Sequence, residues 1–213
     1  MQATIRGWAP PLDQNCPVAA SELLQRHADA WRAATLHPFL LGVHHGDLAE
    51  GVFAAWLQQD HLFVGDLLGF QARLLAKAPR SGQKILATGL VALEAELTWF
   101  EENAIRDGVV LSRSRNPVTD AYRTELDQLL MKPFEVGVTG LWALELAYLQ
   151  AWRGSAPGAF EYREYVEHWT APGFADYVAG LEQHAIDSPA AEAAWLRIVR
   201  LERKFWDMAM GTR

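Results

Sequence analysis

Between Val136 and Trp152 the chain runs Val-Gly-Val-Thr-Gly-Leu-Trp-Ala-Leu-Glu-Leu-Ala-Tyr-Leu-Gln-Ala-Trp, and Glu145 is its only charged residue. A segment so apolar belongs inside a fold. It is too short and too interrupted for a membrane span of about 20 apolar residues. Its period is that of a helix, so it predicts a central buried helix carrying one carboxylate. Burying an unpaired charge costs on the order of several kcal/mol, so such a residue needs partners or a purpose.

The rest of the chain shares the helical period, and no alternating stretch reads as a strand. Residues 1–19 carry three prolines and read as an irregular lead-in. Ser21 is a plausible N-cap for a helix near 22–35. His37-Pro38 breaks it, and a short helix near 38–44 ends at Gly46. Long helices follow over about 49–78 and 82–105. Asn116-Pro117 opens a helix to about Met131, Pro133 opens the Glu145 helix, and Ser188-Pro189 opens the last, to about Met210. Two shorter helices fall near 159–169 and 172–185. The expectation is one all-α domain over 1–213, with eight or nine helices.

Composition narrows the function. The chain has 213 residues, enough for a sizeable core, and half of them are apolar, so disorder is not expected. A net charge of −7 with no basic run argues against binding nucleic acid, which needs cations against phosphate. The single cysteine, Cys16, excludes an intramolecular disulfide. With no signal peptide at the N-terminus, it points to the cytoplasm. Nine tryptophans supply core volume and flat walls for flat ligands.

Three helices repeat one violation. Residues at i, i+3, i+4 and i+7 share a face. Asp60 stands in the stripe Phe53, Trp56, Leu57, Phe63, Val64 and Leu67. Glu145 stands among Val138, Leu141, Trp142, Tyr148, Leu149 and Trp152. Glu202 stands among Ile198, Val199, Phe205, Trp206 and Ala209. Each has an aromatic one turn onward: Phe63, Tyr148, Phe205. Any one such acid is more often a buried residue bonded to a Tyr, Trp or Arg. Three together point to a polar site in an apolar pocket, where burial and repulsion raise carboxyl pKa values. Glu94 is a weaker fourth candidate, because Glu96, Glu101 and Glu102 mark a solvated side nearby. The seven histidines form no metal-binding spacing, and Glu164–His168 reads as a surface pair. Cys16 has nothing to activate it as a nucleophile.

Several segments resemble the TenA (thiaminase II) family, whose fold is haem-oxygenase-like. They are His37-Pro38-Phe39-Leu40-Leu41-Gly42, Leu57-Gln58-Gln59-Asp60-His61-Leu62-Phe63, Glu94-Ala95-Glu96 with Tyr122, and Glu202-Arg203-Lys204-Phe205-Trp206-Asp207-Met208-Ala209. The resemblance spans about His37 to Met210. It implies that Asp60 binds an aminopyrimidine, that Glu202 is a catalytic carboxylate, and that Tyr122 lies near the reacting centre. Phe63 and Trp169 stand near ring-contacting positions, and Tyr148 and Trp142 on the central helix join them as candidate substrate-binding residues.

Where the better-known branch has a nucleophilic cysteine, this chain has Trp142-Ala143-Leu144-Glu145-Leu146-Ala147-Tyr148. That resembles a branch with glutamate in its place, which implies hydrolysis of aminomethyl-pyrimidine or its N-formyl derivative in thiamine salvage. The expected chemistry uses no cofactor. Glu145 or Glu202 would activate water while the other protonates the leaving amine. The alternatives are a non-catalytic pyrimidine-binding or regulatory protein, and a metal or haem oxidase on the same scaffold. A homo-oligomer, dimer or tetramer, is expected from the resemblance.

Overall fold

Proline and glycine place most of the helix boundaries. The computed structural model describes residues 20–111 and 114–211. Among them are ten α-helices, a short 3-10 turn at Phe160–Tyr162, and no strand. The helices are α1 (Glu22–Arg26), α2 (Ala28–Thr35), α3 (Pro38–His45), α4 (Val52–Lys77), α5 (Arg80–Arg106), α6 (Pro117–Leu130), α7 (Phe134–Ser155), α8 (Arg163–Trp169), α9 (Pro172–Glu182) and α10 (Pro189–Ala209). Proline opens α3, α6, α9 and α10, where its missing N–H costs nothing. The Asn116 side chain accepts from the Val118 amide at 2.9 Å, and Ser188 accepts from the Ala191 amide at 3.2 Å. Gly46, at φ 75°, turns the chain out of α3.

Three local expectations need correction. Ser21 has helical dihedrals and makes no side-chain cap. The single helix expected over 22–35 is broken at His27, which leaves the helical region at φ −120°, ψ 37°. No helix-breaking residue marks the break. It coincides with tertiary pairs to the far end of the chain, His27 to Glu192 at 2.6 Å and Arg26 to Asp187 at 2.6 Å. The Glu164–His168 pair also fails to form. Glu164 instead meets Arg106 at 2.8 Å, and His168 meets Glu96 at 2.6 Å. The lead-in and Cys16 lie outside the described residues.

The central helix is α7. It packs against α2, α3, α4, α6, α8, α9 and α10, and all but a few of its side chains are buried. Glycine allows two of these approaches. A Cβ on Gly140 would lie 2.6 Å from Leu129 of α6, and one on Gly137 would lie 2.8 Å from Leu74 of α4. Trp56, Trp142, Trp152, Trp195 and Trp206 are fully buried around it. Each large side chain so enclosed contributes about 1.5–3 kcal/mol of apolar transfer. By contrast α5 leans chiefly on α4 and α9 and leaves its outer side open, with Val91 and Ile105 exposed. Among the described residues no helix is long and apolar enough to cross a membrane.

Candidate active site

A cavity of about 590 Å³ opens between α4, α5, α7, α8 and α9. Its apolar walls come from Phe63 of α4, Trp99 of α5, Trp169 of α8, and Phe174 and Tyr177 of α9. Asp60, Glu96, Glu145, Tyr148 and His168 bring polar atoms to the same space. The helical period explains the convergence. Asp60 and Phe63 lie one turn apart on α4, and Glu145 and Tyr148 one turn apart on α7, so each helix presents an acid and an aromatic together.

The carboxyls are held in different ways. Asp60 is buried, and the Tyr148 hydroxyl donates to its Oδ2 at 3.0 Å. Burial pushes the Asp60 carboxyl well above its ordinary range; the Tyr148 bond opposes the rise, and the charges of Glu96, Glu202 and Glu145 add to it. Burial also pushes Glu145 up to about 8, reinforced by the charges of Glu202 and Glu96, and among the described residues no hydrogen bond holds its proton or its charge. Glu202 is likewise pushed up to about 8 by burial, against a hydrogen bond donated by the Tyr122 hydroxyl. Tyr122 and Tyr148 are themselves raised well above the ordinary phenol range by burial and the neighbouring acids, so both stay protonated donors.

Of the residues singled out from sequence, Asp60, Phe63, Glu145, Tyr148 and Trp169 line the cavity. Glu202 and Tyr122 form a buried pair that is not part of the lining. They stand behind Phe63, whose ring centroid is 4.5 Å from Tyr122 and 5.6 Å from Phe205. Trp142 is fully buried and also absent from the lining, although it lies one turn before Glu145 on the same face of α7. On α5 the expectation is inverted. Glu94 is exposed, whereas Glu96 turns into the cavity.

Glu96 is a residue that the sequence argument passed over. One of its oxygens takes His168 Nε2 at 2.6 Å and the other takes Trp169 Nε1 at 2.7 Å. Trp99 stacks flat on His168, 3.9 Å between centroids and 1° between planes. This cluster ties α5 to α8 along one wall. A signal did exist: Leu93, Glu96 and Trp99 share a face at spacings of three. Its outer flank is so acidic that the face looks solvated. Among the described residues no group of three or more His, Cys, Asp or Glu could hold a metal ion.

The model for the TENA/THI-4/PQQC family matches residues 24–212. The chain belongs to that family. A Glycine max protein named "Probable bifunctional TENA-E protein" is 28% identical over 210 residues, covering 88% of this chain and 91% of the soybean protein. A TenA homologue from Pyrococcus furiosus superposes with a TM-score of 0.84 at 27% identity, over 90% of this chain and all of that one. A TenA family transcription regulator from Silicibacter sp. TM1040 has the same fold, with a TM-score of 0.83 at 17% identity over 91% and 97% of the two chains. The TENA/THI-4/PQQC chain described here thus has the haem-oxygenase-like all-α fold of its TenA neighbours. Its aromatic cavity lies between helices that belong to that shared architecture.

Proposed function

We propose that the chain is a hydrolase in thiamine metabolism. Its substrates in this reading are the pyrimidines of thiamine breakdown, aminomethyl-pyrimidine or formylaminomethyl-pyrimidine. Membership of the family and the resemblance to a TENA-E protein support the general role. The observation that carries the specific reading is Glu145: a carboxyl without a hydrogen-bond partner, in an aromatic cavity, with its pKa pushed up to about 8. A group titrating near working pH can take a proton and return it within one turnover.

The reaction needs no cofactor. The ring stacks between Phe63 and Trp169, and Asp60 engages its ring nitrogen and amino group. Ionised Glu145 removes a proton from water. For the aminomethyl compound the water oxygen bonds to the exocyclic methylene carbon, the carbon–nitrogen bond breaks, and Glu145 gives its proton to the departing ammonia. For the formyl compound the same water attacks the formyl carbon, formate forms, and the amine nitrogen takes the proton. Glu202 is a positioning residue in this scheme. Its charge raises the pKa of Glu145, and its bond to Tyr122 fixes the layer behind Phe63.

Glu145→Gln and Glu202→Gln, assayed with both pyrimidines, test the scheme. Glu145→Gln should lose about 10²–10⁴ in kcat, the usual value of general acid–base catalysis. Glu202→Gln should lose less and shift the pH profile to lower pH. Wild-type turnover in both variants would falsify the mechanism. A tight complex with no product in the wild type would make the protein a binder.

A further inference from the structure

The cavity has a second polar end. Gln71 lies on α4 eleven residues beyond Asp60, about 16 Å along the helix at 1.5 Å per residue. Its side chain is fully buried. Gln71 Nε2 donates to the Leu86 carbonyl at 2.8 Å, and Gln71 Oε1 accepts from the Tyr177 hydroxyl at 2.9 Å. The Leu86 carbonyl has no proton, so it fixes which way the amide points. Oε1 therefore faces Tyr177, and the only proton of that hydroxyl is committed. Tyr177 lines the cavity, and the neighbouring wall residue, Gly89, sits directly against the pair. A Cβ at Gly89 would fall 2.1 Å from Gln71 Nε2 and 2.6 Å from the Tyr177 oxygen, so the arrangement requires glycine there.

A hydroxyl whose proton is committed can only accept. Burial and the charge of Glu145 push the Tyr177 phenol well above its ordinary range, so it does not become a phenolate at working pH. Of the lining residues nearest Tyr177 and Gly89 in sequence, Gly173 and Phe174 bring no polar side-chain atom, and Thr88 brings one hydroxyl.

We propose that Tyr177 is a specificity-determining residue, held by Gln71 as an acceptor at the end of the cavity remote from Asp60, where it selects substrates whose exocyclic nitrogen substituent carries an N–H. This rests on the aminopyrimidine reading above and deepens it. Asp60 orients the ring at one end, Glu145 works in the middle, and Tyr177 sorts substituents at the other end. A substituent offering only acceptors there leaves two acceptors facing each other, buried and unsatisfied.

The test compares formylaminomethyl-pyrimidine with its N-methyl counterpart, a tertiary formamide lacking the N–H. Wild type should favour the secondary compound in kcat/KM. In Tyr177→Phe that ratio should fall about 3–10-fold, mainly through KM of the secondary compound, the scale of one net hydrogen bond. Gln71→Met keeps the Tyr177 hydroxyl but frees its proton to donate to the tertiary amide, so the ratio should fall there as well. A wild-type enzyme active on the secondary compound, with the ratio unchanged in Tyr177→Phe, overturns the role of Tyr177 and leaves the hydrolase reading standing. No turnover of either compound by wild type overturns the hydrolase reading, and this inference with it.

Discussion

Helices α5 and α7 each bring one carboxylate to the same cavity, by opposite means. On α7 most side chains are enclosed, and Glu145 stands in that apolar stretch with no hydrogen-bond donor among the described residues to steady it. On α5 one side faces solvent, and Glu96 is half-buried with a donor on each oxygen. The first arrangement leaves a charge that the fold resists, which is what a group exchanging protons requires. The second leaves a charge that the fold uses, holding His168 and Trp169 in the wall. In the proposed scheme a buried acid's solvation and bonding thus separate a reactive role from a supporting one, even when both acids touch the same space.

The sharpest way to break this comparison is to remove both charges the same way. A buried charge that nothing compensates carries a desolvation cost, and an apolar side chain of similar volume does not. Glu145→Leu should therefore keep or raise the unfolding free energy while losing turnover. Glu96→Leu removes two charge-assisted bonds and leaves Trp169 Nε1 without its acceptor. Hydrogen bonds to charged groups are worth about 1.5–3 kcal/mol each, so it should destabilise by roughly 2–5 kcal/mol. Urea denaturation of the three proteins measures the difference. Loss of stability in Glu145→Leu, with none in Glu96→Leu, would invert the assignment.

The same contrast explains what could be read before any coordinates. Glu145 was legible because nothing else from Val136 to Trp152 is charged, so one acid stood out against its surroundings. Asp60 was legible for the same reason. Glu96 was hidden among Glu94, Glu101 and Glu102, since a working acid on a half-open helix has the same local context as a solvated one. Glu202 sat correctly in an apolar stripe, but the stripe could not say that Phe63 lies between Tyr122 and the cavity. Helix positions followed from proline and glycine punctuation. The break at His27 did not, and there the chain pairs with Glu192, 165 residues away. Local sequence reports burial and period well, and reports partners across the chain poorly.

A milder test uses pH. Folded Glu145 and Glu202 carry pKa values pushed up to about 8, against an ordinary carboxyl value of 4.5. Below pH 4.5 both states are protonated, and the contribution of these groups to stability is fully present. Between 4.5 and about 8 the unfolded chain has released protons that the folded protein keeps. The unfolded state then binds fewer protons, and stability falls as pH rises. Thermal unfolding followed from pH 5 to pH 8 should show a declining midpoint, and Glu145→Gln should decline less steeply than wild type. Parallel curves would mean that Glu145 titrates normally and that its apolar setting does not act on its proton.

The smallest expected change isolates the α5 side. In Glu96→Gln the side-chain shape is kept, but one oxygen becomes an NH2 group. That group cannot accept, so Trp169 Nε1 keeps its acceptor only if the amide oxygen faces it, and His168 Nε2 must then change from donor to acceptor by switching tautomer. The indole bond is the one the cavity needs, because Trp169 forms a wall and packs on Trp152 at 4.4 Å. If the amide oxygen stays with Trp169, the NH2 donates to His168 Nε2 and the wall survives. KM for the pyrimidines should then rise only a few-fold, while kcat changes less, and the unfolding free energy should drop by about 1 kcal/mol, the scale of the difference between a hydrogen bond to a charged group and one to a neutral group. If kcat instead collapses as far as in Glu145→Gln, with KM unmoved, Glu96 takes part in the chemistry, and the division between a reactive α7 and a supporting α5 does not hold.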